Sequence, residues 1–164
     1  MATPSPYRSL AASRRVALLT HALTAHRESR ATYVQRLVAR GGGFRAATLQ
    51  TWSADRLARE VIRLNAETAH DELELLQLLY VDLEPAIQIT FLDAAGVAHQ
   101  VGKIPDDAEP PYASAAAVER AVGTVHRVHG ADGMLYLRTL VRYNLAAWPG
   151  LDSVLHTIES SDNG

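Results

Sequence analysis

The stretch SAAAVERAVGTVHRVHGADGMLYLRTLVRYNL, residues 114–145, decides the fold class because its apolar side chains recur at helical spacing. Ser114 is a good N-cap, and Gly130 is a good helix stop, since glycine adopts left-handed backbone angles without a Cβ clash. Asp132 is placed to cap a second helix. The apolar positions of the two helices are Val118, Val122, Val125, Met134, Leu137, Val141 and Leu145. The stretch predicts two consecutive amphipathic helices.

Helical spacing continues on both sides of this stretch. One helix is predicted from Tyr7 to His26, a second is capped by Ser29, and a later one is capped by Ser53. Residues 66–80 carry leucines on more than one face, which is typical of a central helix, with continuity through Asn65 left open. The predicted fold is an all-α, compact bundle of about six or seven helices.

Residues 86–104 allow a second interpretation. Pro85 suits the first turn of a helix that Gly96 would end. However, Ile87, Ile89 and Phe91 alternate as in a strand, with residues 99–104 as the returning partner. A helix is the preferred prediction, and a small β-hairpin near residues 86–104 is the alternative.

Length and composition predict one globular domain over residues 1–164. The chain has 164 residues, 48% of them apolar, and no cysteine, so a disulfide framework and thiolate metal sites are excluded. Residues 102–112 hold three prolines and four charges and are predicted to form an exposed loop, and residues 160–164 a frayed tail. No apolar run approaches the roughly 20 residues of a membrane span. We therefore expect a cytoplasmic protein without a membrane span.

Charge is distributed unevenly along the chain. Residues 1–63 hold 11 arginines against three acids, a net charge of +8. Residues 64–113 hold one lysine against 10 acids, a net charge of −9, and residues 114–164 are close to neutral at −1. Zones of opposite sign either pair within the fold or meet across an interface.

Residues 44–65 resemble a helix-turn-helix in their spacing. A short helix, a polar connection at residues 50–53 and an arginine-bearing helix follow one another. Arginines on one helical face can contact phosphates, although Thr51 stands where the turn usually has glycine. The candidate nucleic-acid-binding residues are Arg45, Arg56, Arg59 and Arg63.

Two further sets of residues are candidate sites. Carboxylate and imidazole groups at i, i+3 spacing can hold iron, zinc or manganese in a helical bundle, although the usual four-helix ligand pattern is incomplete here. The candidate metal ligands are Glu67, His70, Glu119, His126 and His129. Aromatic side chains near the C-terminus can anchor a protein partner if they are exposed. The candidate partner-binding residues are Tyr136, Tyr143, Trp148 and Leu151.

The leading functional hypothesis is a non-catalytic interaction or accessory protein that binds itself or another protein through its oppositely charged zones. No catalytic residues and no cofactor are predicted. The first alternative is a nucleic-acid-binding protein that uses the arginines of residues 44–65. The second is a metal-binding helical bundle.

Overall fold

This computed structural model describes residues 4–162 of the chain. Every named element of secondary structure in that range is a helix, which confirms the all-α prediction. The chain divides into two compact units at Leu78 and Leu79, and each is described by itself below. The first unit, residues 4–78, contains α1 (Pro6–Ser9), α2 (Ala12–Ala25), α3 (Arg27–Ala39), α4 (Ala46–Gln50), α5 (Ala54–Arg63) and α6 (Ala69–Gln77). The second, residues 79–162, contains α7 (Pro85–Ala95), α8 (Ala115–Asn144) and α9 (Leu151–Asp162). A π-helical segment, Leu78–Leu83, follows α6, and a 3₁₀ turn, Leu145–Ala147, follows α8.

Side-chain caps start several of these helices. Ser53 Oγ accepts a hydrogen bond from the backbone N–H of Arg56, and Ser114 Oγ accepts one from Ala117, as their residue types predict. Ser29, by contrast, is not a cap, because α3 begins at Arg27. The N-cap residue of α3 is His26, whose side chain makes no capping hydrogen bond. Local capping chemistry therefore predicts two of these three starts.

In the first unit, α2 packs along α5 and also contacts α3. Leu19 and Leu23 of α2 and Leu57 and Val61 of α5 are fully or almost fully buried. Each pair is four residues apart, so both side chains lie on one face of their helix. This packing fixes α5 by its apolar face and leaves the opposite face to solvent.

One predicted continuity in the first unit is interrupted, and the continuity that the sequence left open is absent. The helix expected from Tyr7 to His26 is divided, because Leu10 has extended backbone angles and its side chain enters the core. At the end of α5, Asn65 has a φ of 48°, which no helix accommodates. The central helix is therefore separate from α5.

In the second unit, α7 and α9 both pack along α8. α8 is broken at Gly130, which has a φ of 53° and a ψ of −129°, so the predicted helix stop is present as a sharp bend. A Cβ on Gly133 would lie 2.8 Å from the carbonyl oxygen of Val125, so the backbone on either side of the bend approaches closely only because residue 133 is glycine.

The preferred helix in residues 86–104 is confirmed, and the alternative β-hairpin is wrong. Residues 86–95 belong to α7, because Ile87, Phe91 and Ala95 form a buried stripe at four-residue spacing and Pro85 occupies the first turn. The β contact within residues 4–162 is one isolated bridge between Gln100 and Lys103.

Of the predicted tail, residues 160–162 form the last turn of α9, and residues 163–164 lie outside the described range. Among residues 4–162 no single helix has the length and hydropathy of a membrane span; one bent pair, Ala69–Leu83 with Pro85–Ala95, meets those criteria when its two members are taken together.

Candidate functional site

Two of the four predicted nucleic-acid-binding arginines are paired with acids of their own helix. Arg59 donates two hydrogen bonds to the carboxylate of Asp55, the shorter at 2.8 Å, and Arg63 donates to Glu60. The hydrogen bond from Arg63 lowers the pKa of Glu60, although partial burial opposes the shift. The outer face of α5 is therefore largely neutralised, and it offers a phosphate less than four unpaired arginines would.

Of the other two predicted arginines, Arg56 lies against an aromatic pair. The rings of Phe44 and Trp52 meet edge to face, 5.1 Å apart, and the guanidinium of Arg56 lies 4.0 Å above the Trp52 ring. Arg45 follows Phe44 in the chain and is exposed. Arg30 donates to the carbonyl oxygens of Gln50 and Trp52, which ties α3 to the turn before α5. We call Arg30, Arg45 and Arg56 the basic surface.

In residues 44–65, which resemble a helix-turn-helix in sequence, both helices are present but the first is short. The first helix, α4, begins at Ala46 rather than Phe44 and has five residues. Within residues 4–162, none of the arginines of the basic surface pairs with a carboxylate. The cationic character of this region therefore lies in the basic surface, to which α5 contributes Arg56, and not in Arg59 and Arg63.

Glu67 and Glu72 are buried in the first unit and bind the segment that precedes α2. Ser5 Oγ donates to Glu72 at 2.5 Å, and Arg8 Nε donates to the other oxygen of Glu72 at 2.6 Å. Tyr7 Oη donates to Glu67 at 3.0 Å, and burial together with this carboxylate raises the pKa of Tyr7. Donors about 60 residues away in the chain make the burial of these two acids tolerable.

Asp71 is the third buried carboxylate of the first unit. It accepts a hydrogen bond from Arg36 and one from the backbone N–H of Thr68, whose hydroxyl in turn caps α6. Burial alone would raise the pKa of Asp71, but the hydrogen bonds from Arg36 and Thr68 outweigh it and lower the pKa. Arg8 and Arg36 come from the positively charged zone of the sequence, and Glu72 and Asp71 from the negatively charged zone. Their ion pairs therefore neutralise part of this opposite charge within the first unit.

The predicted metal ligands are divided between the units, Glu67 and His70 in the first and Glu119, His126 and His129 in the second. Glu67 is engaged by Tyr7, as described above. His70 is exposed, with its Nε2 3.1 Å from a carboxylate oxygen of Glu74. Within residues 4–162, neither belongs to a group of three or more His, Asp or Glu side chains that could hold a metal ion.

In the second unit, the predicted metal ligands have other partners. His126 Nε2 lies 3.5 Å from the carboxylate of Asp162, and His129 Nε2 lies 2.9 Å from the hydroxyl of Thr90. Glu119 is exposed on α8. Throughout residues 4–162 no three His, Asp or Glu side chains are grouped as a metal site requires.

The structure buries most of the predicted partner-binding residues. Tyr136, Trp148 and Leu151 are all at most 3% exposed, and only Tyr143 is half-buried. Phe91 packs edge to face on both Tyr136 and Trp148, with ring centroids 5.8 Å and 4.8 Å apart. These aromatic residues form the core of the second unit.

Acidic side chains of the second unit are instead exposed in the connection between α7 and α8. Asp106, Asp107 and Glu109 project from this connection, which we call the acidic loop. The backbone N–H of Tyr112 donates to the carbonyl oxygen of Ala147 and anchors its end.

The two units have net charges of opposite sign. The first holds 11 arginines against seven acids, or +4, and the second holds five basic residues against 11 acids, or −6.

The sequence interpretation missed the buried carboxylate network, although one signal was readable. Thr68 and Asp71 have the spacing of a capping box, which places an acid in the first turn of α6. Nothing local indicates that Ser5 and Arg8 contact Glu72.

Comparison of the chain with protein-family models, with curated proteins and with solved structures gives no match.

Proposed function

We propose that the protein is a non-catalytic association protein that binds itself or another protein through the basic surface of its first unit and the acidic loop of its second. The observation that supports this most directly is the basic surface. Arg45 and Arg56 are exposed and form no salt bridge with a carboxylate within residues 4–162, although seven acids belong to the same unit and the charge of Arg56 helps to lower the pKa of Glu60. Their charge is available to steer and hold an anionic surface.

The acidic loop supplies the complementary charge. Asp106, Asp107 and Glu109 are exposed within four residues of sequence. Exposed charges of opposite sign accelerate encounter and select partners, and their effect declines as salt shortens the range of the interaction. We therefore expect association that depends strongly on ionic strength.

Sedimentation velocity at about 0.05 M and about 1 M salt tests self-association, because the Debye length falls from above 10 Å to about 3 Å over that range. We expect oligomers at low salt and monomers at high salt. Monomers at both concentrations would remove self-association and leave binding to a different protein as the remaining form of the proposal.

Charge reversal identifies the surface involved. The double variant R45E/R56E should abolish the low-salt oligomer. R120E/R127E is the matched control, because Arg120 and Arg127 are exposed on α8 of the second unit and their reversal changes the net charge by the same amount in the unit that is already acidic. Loss of the oligomer in R120E/R127E to the same extent as in R45E/R56E would show that net charge alone is responsible.

Nucleic-acid binding is the second candidate function, and the position of Arg56 over the Trp52 ring, with the exposed Arg45 next to Phe44 in the chain, favours it. Exposed arginines interspersed with aromatic rings bind the backbone and bases of single strands. Binding of labelled duplex and single-stranded nucleic acid across a salt series tests it. R45A/R56A should flatten the salt slope by about 1 for each phosphate that is no longer neutralised, whereas R59A/R63A should change it less. Absence of binding at low salt rejects this candidate.

A further inference from the structure

A cleft of about 380 Å³ opens in the second unit beside the acidic loop. One wall is the backbone of residues 96–98, directly after α7, and the others include Asp107, Glu109 and Tyr112. Pro105 and Pro111 complete the lining, and proline restricts the backbone on both sides of the acids. The cleft is large enough for one long side chain and too small for a folded element.

Hydrogen bonds hold the connection between α7 and α8 in place. Gln88 Nε2 donates to the carbonyl oxygen of Gly102 at 2.5 Å, and the Gly102 N–H donates to Nδ1 of His99 at 3.0 Å. His99 Nε2 lies 2.9 Å from a carboxylate oxygen of Asp93. A cleft that is formed before binding loses little conformational entropy when a ligand enters.

Two features on different sides of the cleft carry negative charge and favour a cation. The lining begins at Gly96, the C-cap of the eleven-residue helix α7, where the partial negative charge of the helix dipole is located. Asp107 and Glu109 add two carboxylates on the loop side. Lys103, the one basic residue of this connection, is not part of the lining.

Tyr112 gives the cleft a flat aromatic wall. Its ring packs on Trp148, 5.4 Å away between centroids, and its backbone N–H is bonded to Ala147. A ring fixed in this way can stack with a planar guanidinium, while neighbouring carboxylates accept its N–H groups; a lysine ammonium offers neither planarity nor a fork of donors. From these features we infer that the cleft binds an arginine side chain of a partner polypeptide. The inference rests on the proposed function and specifies the side chain that the acidic unit recognises.

Three short peptides test the chemistry without altering the protein. Acetyl-Gly-Arg-Gly-amide, its lysine counterpart and its citrulline counterpart are titrated into the isotopically labelled full chain, and amide shifts of residues 96–98 and 107–109 are followed by NMR. The arginine peptide should bind about tenfold more tightly than the neutral citrulline peptide and more tightly than the lysine peptide. Equal binding of arginine and citrulline, or no shift at these amides with any peptide, overturns the inference.

Variants locate the binding. D107N/E109Q should weaken the arginine peptide about tenfold, and Y112A should remove its preference over lysine, while Y112F should retain it. The matched control is E119Q/D152N, which removes the same number of charges from exposed positions of the second unit outside the lining. Equal weakening by both double variants would show attraction to overall charge and would overturn the site. Circular dichroism checks that each variant is folded.

The two proposals fail in different ways. If the wild-type chain forms salt-sensitive oligomers but shows no shift with the arginine peptide, the arginine site is wrong and the proposed association stands. If the peptide binds at the cleft while R45E/R56E leaves association unchanged, the site stands and the basic surface loses its role.

Discussion

The two units use their charged residues in opposite ways. The first unit buries Glu67, Asp71 and Glu72 and binds them with hydroxyl and guanidinium donors. The second unit fills its core with rings, including Phe91 and Trp148, and leaves the acids of its loop in solvent. A run of acids in a sequence can therefore be buried in the fold or exposed to solvent. Which of the two occurs depends on whether hydrogen-bond donors from elsewhere in the chain reach the carboxylates.

This difference has energetic consequences. An aromatic core is stabilised by removal of apolar surface from water, a term that does not change with pH. Buried ion pairs contribute little net stability because desolvation offsets attraction, but breaking one is costly because it leaves its partner buried and uncompensated. Substitutions in the two units should therefore differ in size and in pH dependence.

The largest effect is expected at Phe91. Phe91→Ala should lower the free energy of unfolding by about 4 kcal/mol, because it opens a cavity beside Trp148 and Tyr136. Urea denaturation of the W52F chain, followed by Trp148 fluorescence, measures it. Tyr143→Ala is the control at a half-buried ring of the same unit and should cost about 1 kcal/mol. A loss at Phe91 no larger than that at Tyr143 would contradict the aromatic core.

A smaller loss is expected at Glu72. Glu72→Gln should destabilise the chain by about 2 kcal/mol, because Arg8 and Ser5 lose a charged acceptor in a buried setting. Glu74→Gln makes the same change on the same helix at a side chain that is 60% exposed, and we expect it to fall within the experimental error. Urea denaturation of the W148F chain, followed by Trp52 fluorescence, compares them. Equal effects would mean that Glu72 is solvated.

Asp71 tests the pH dependence of the first unit. Its folded-state pKa is lowered, so its contribution is fully present above its unfolded pKa of about 3.9 and is lost as the pH falls through the folded value. Asp71→Asn should cost about 1–2 kcal/mol at neutral pH, and the gap from wild type should shrink below about pH 4. Denaturation from neutral to acidic pH measures this gap, and a constant gap would contradict the shift.

The smallest effect is expected at the exposed pair on α5. Asp55→Asn removes the partner of Arg59, but both side chains are more than half exposed, so we expect no resolvable change in the midpoint of urea denaturation. The same variant exposes an uncompensated arginine on α5 and should therefore strengthen any binding of nucleic acid. A clear loss of stability would mean that the exposed ion pair contributes to the free energy of unfolding nearly as much as the buried pairs of this unit, which would contradict the comparison.

Much of the secondary structure was predictable because its causes are local. Ser53 and Ser114 cap helices, Gly96 ends α7 and Gly130 breaks α8, each through the backbone chemistry of one residue type. The hairpin alternative failed because apolar residues at 87, 89 and 91 satisfy strand and helix periods over so short a run.

The candidate sites were predicted less well, because exposure and pairing depend on distant residues. Arg59 resembles Arg56 in sequence, yet one is paired with an acid and the other stacks on Trp52. Trp148 suits a binding patch or a core equally well, and its packing on Phe91, 57 residues away in the chain, decided for the core.

By itself, the sequence determined the helical class, several helix ends and the uneven distribution of charge, since spacing, caps and composition act within a few residues. Only the tertiary structure decided which charged side chains are buried and paired within the fold. The reason is physical: a carboxylate such as Glu72 can be buried only where donors from Ser5 and Arg8 reach it, and that meeting is a property of the folded chain.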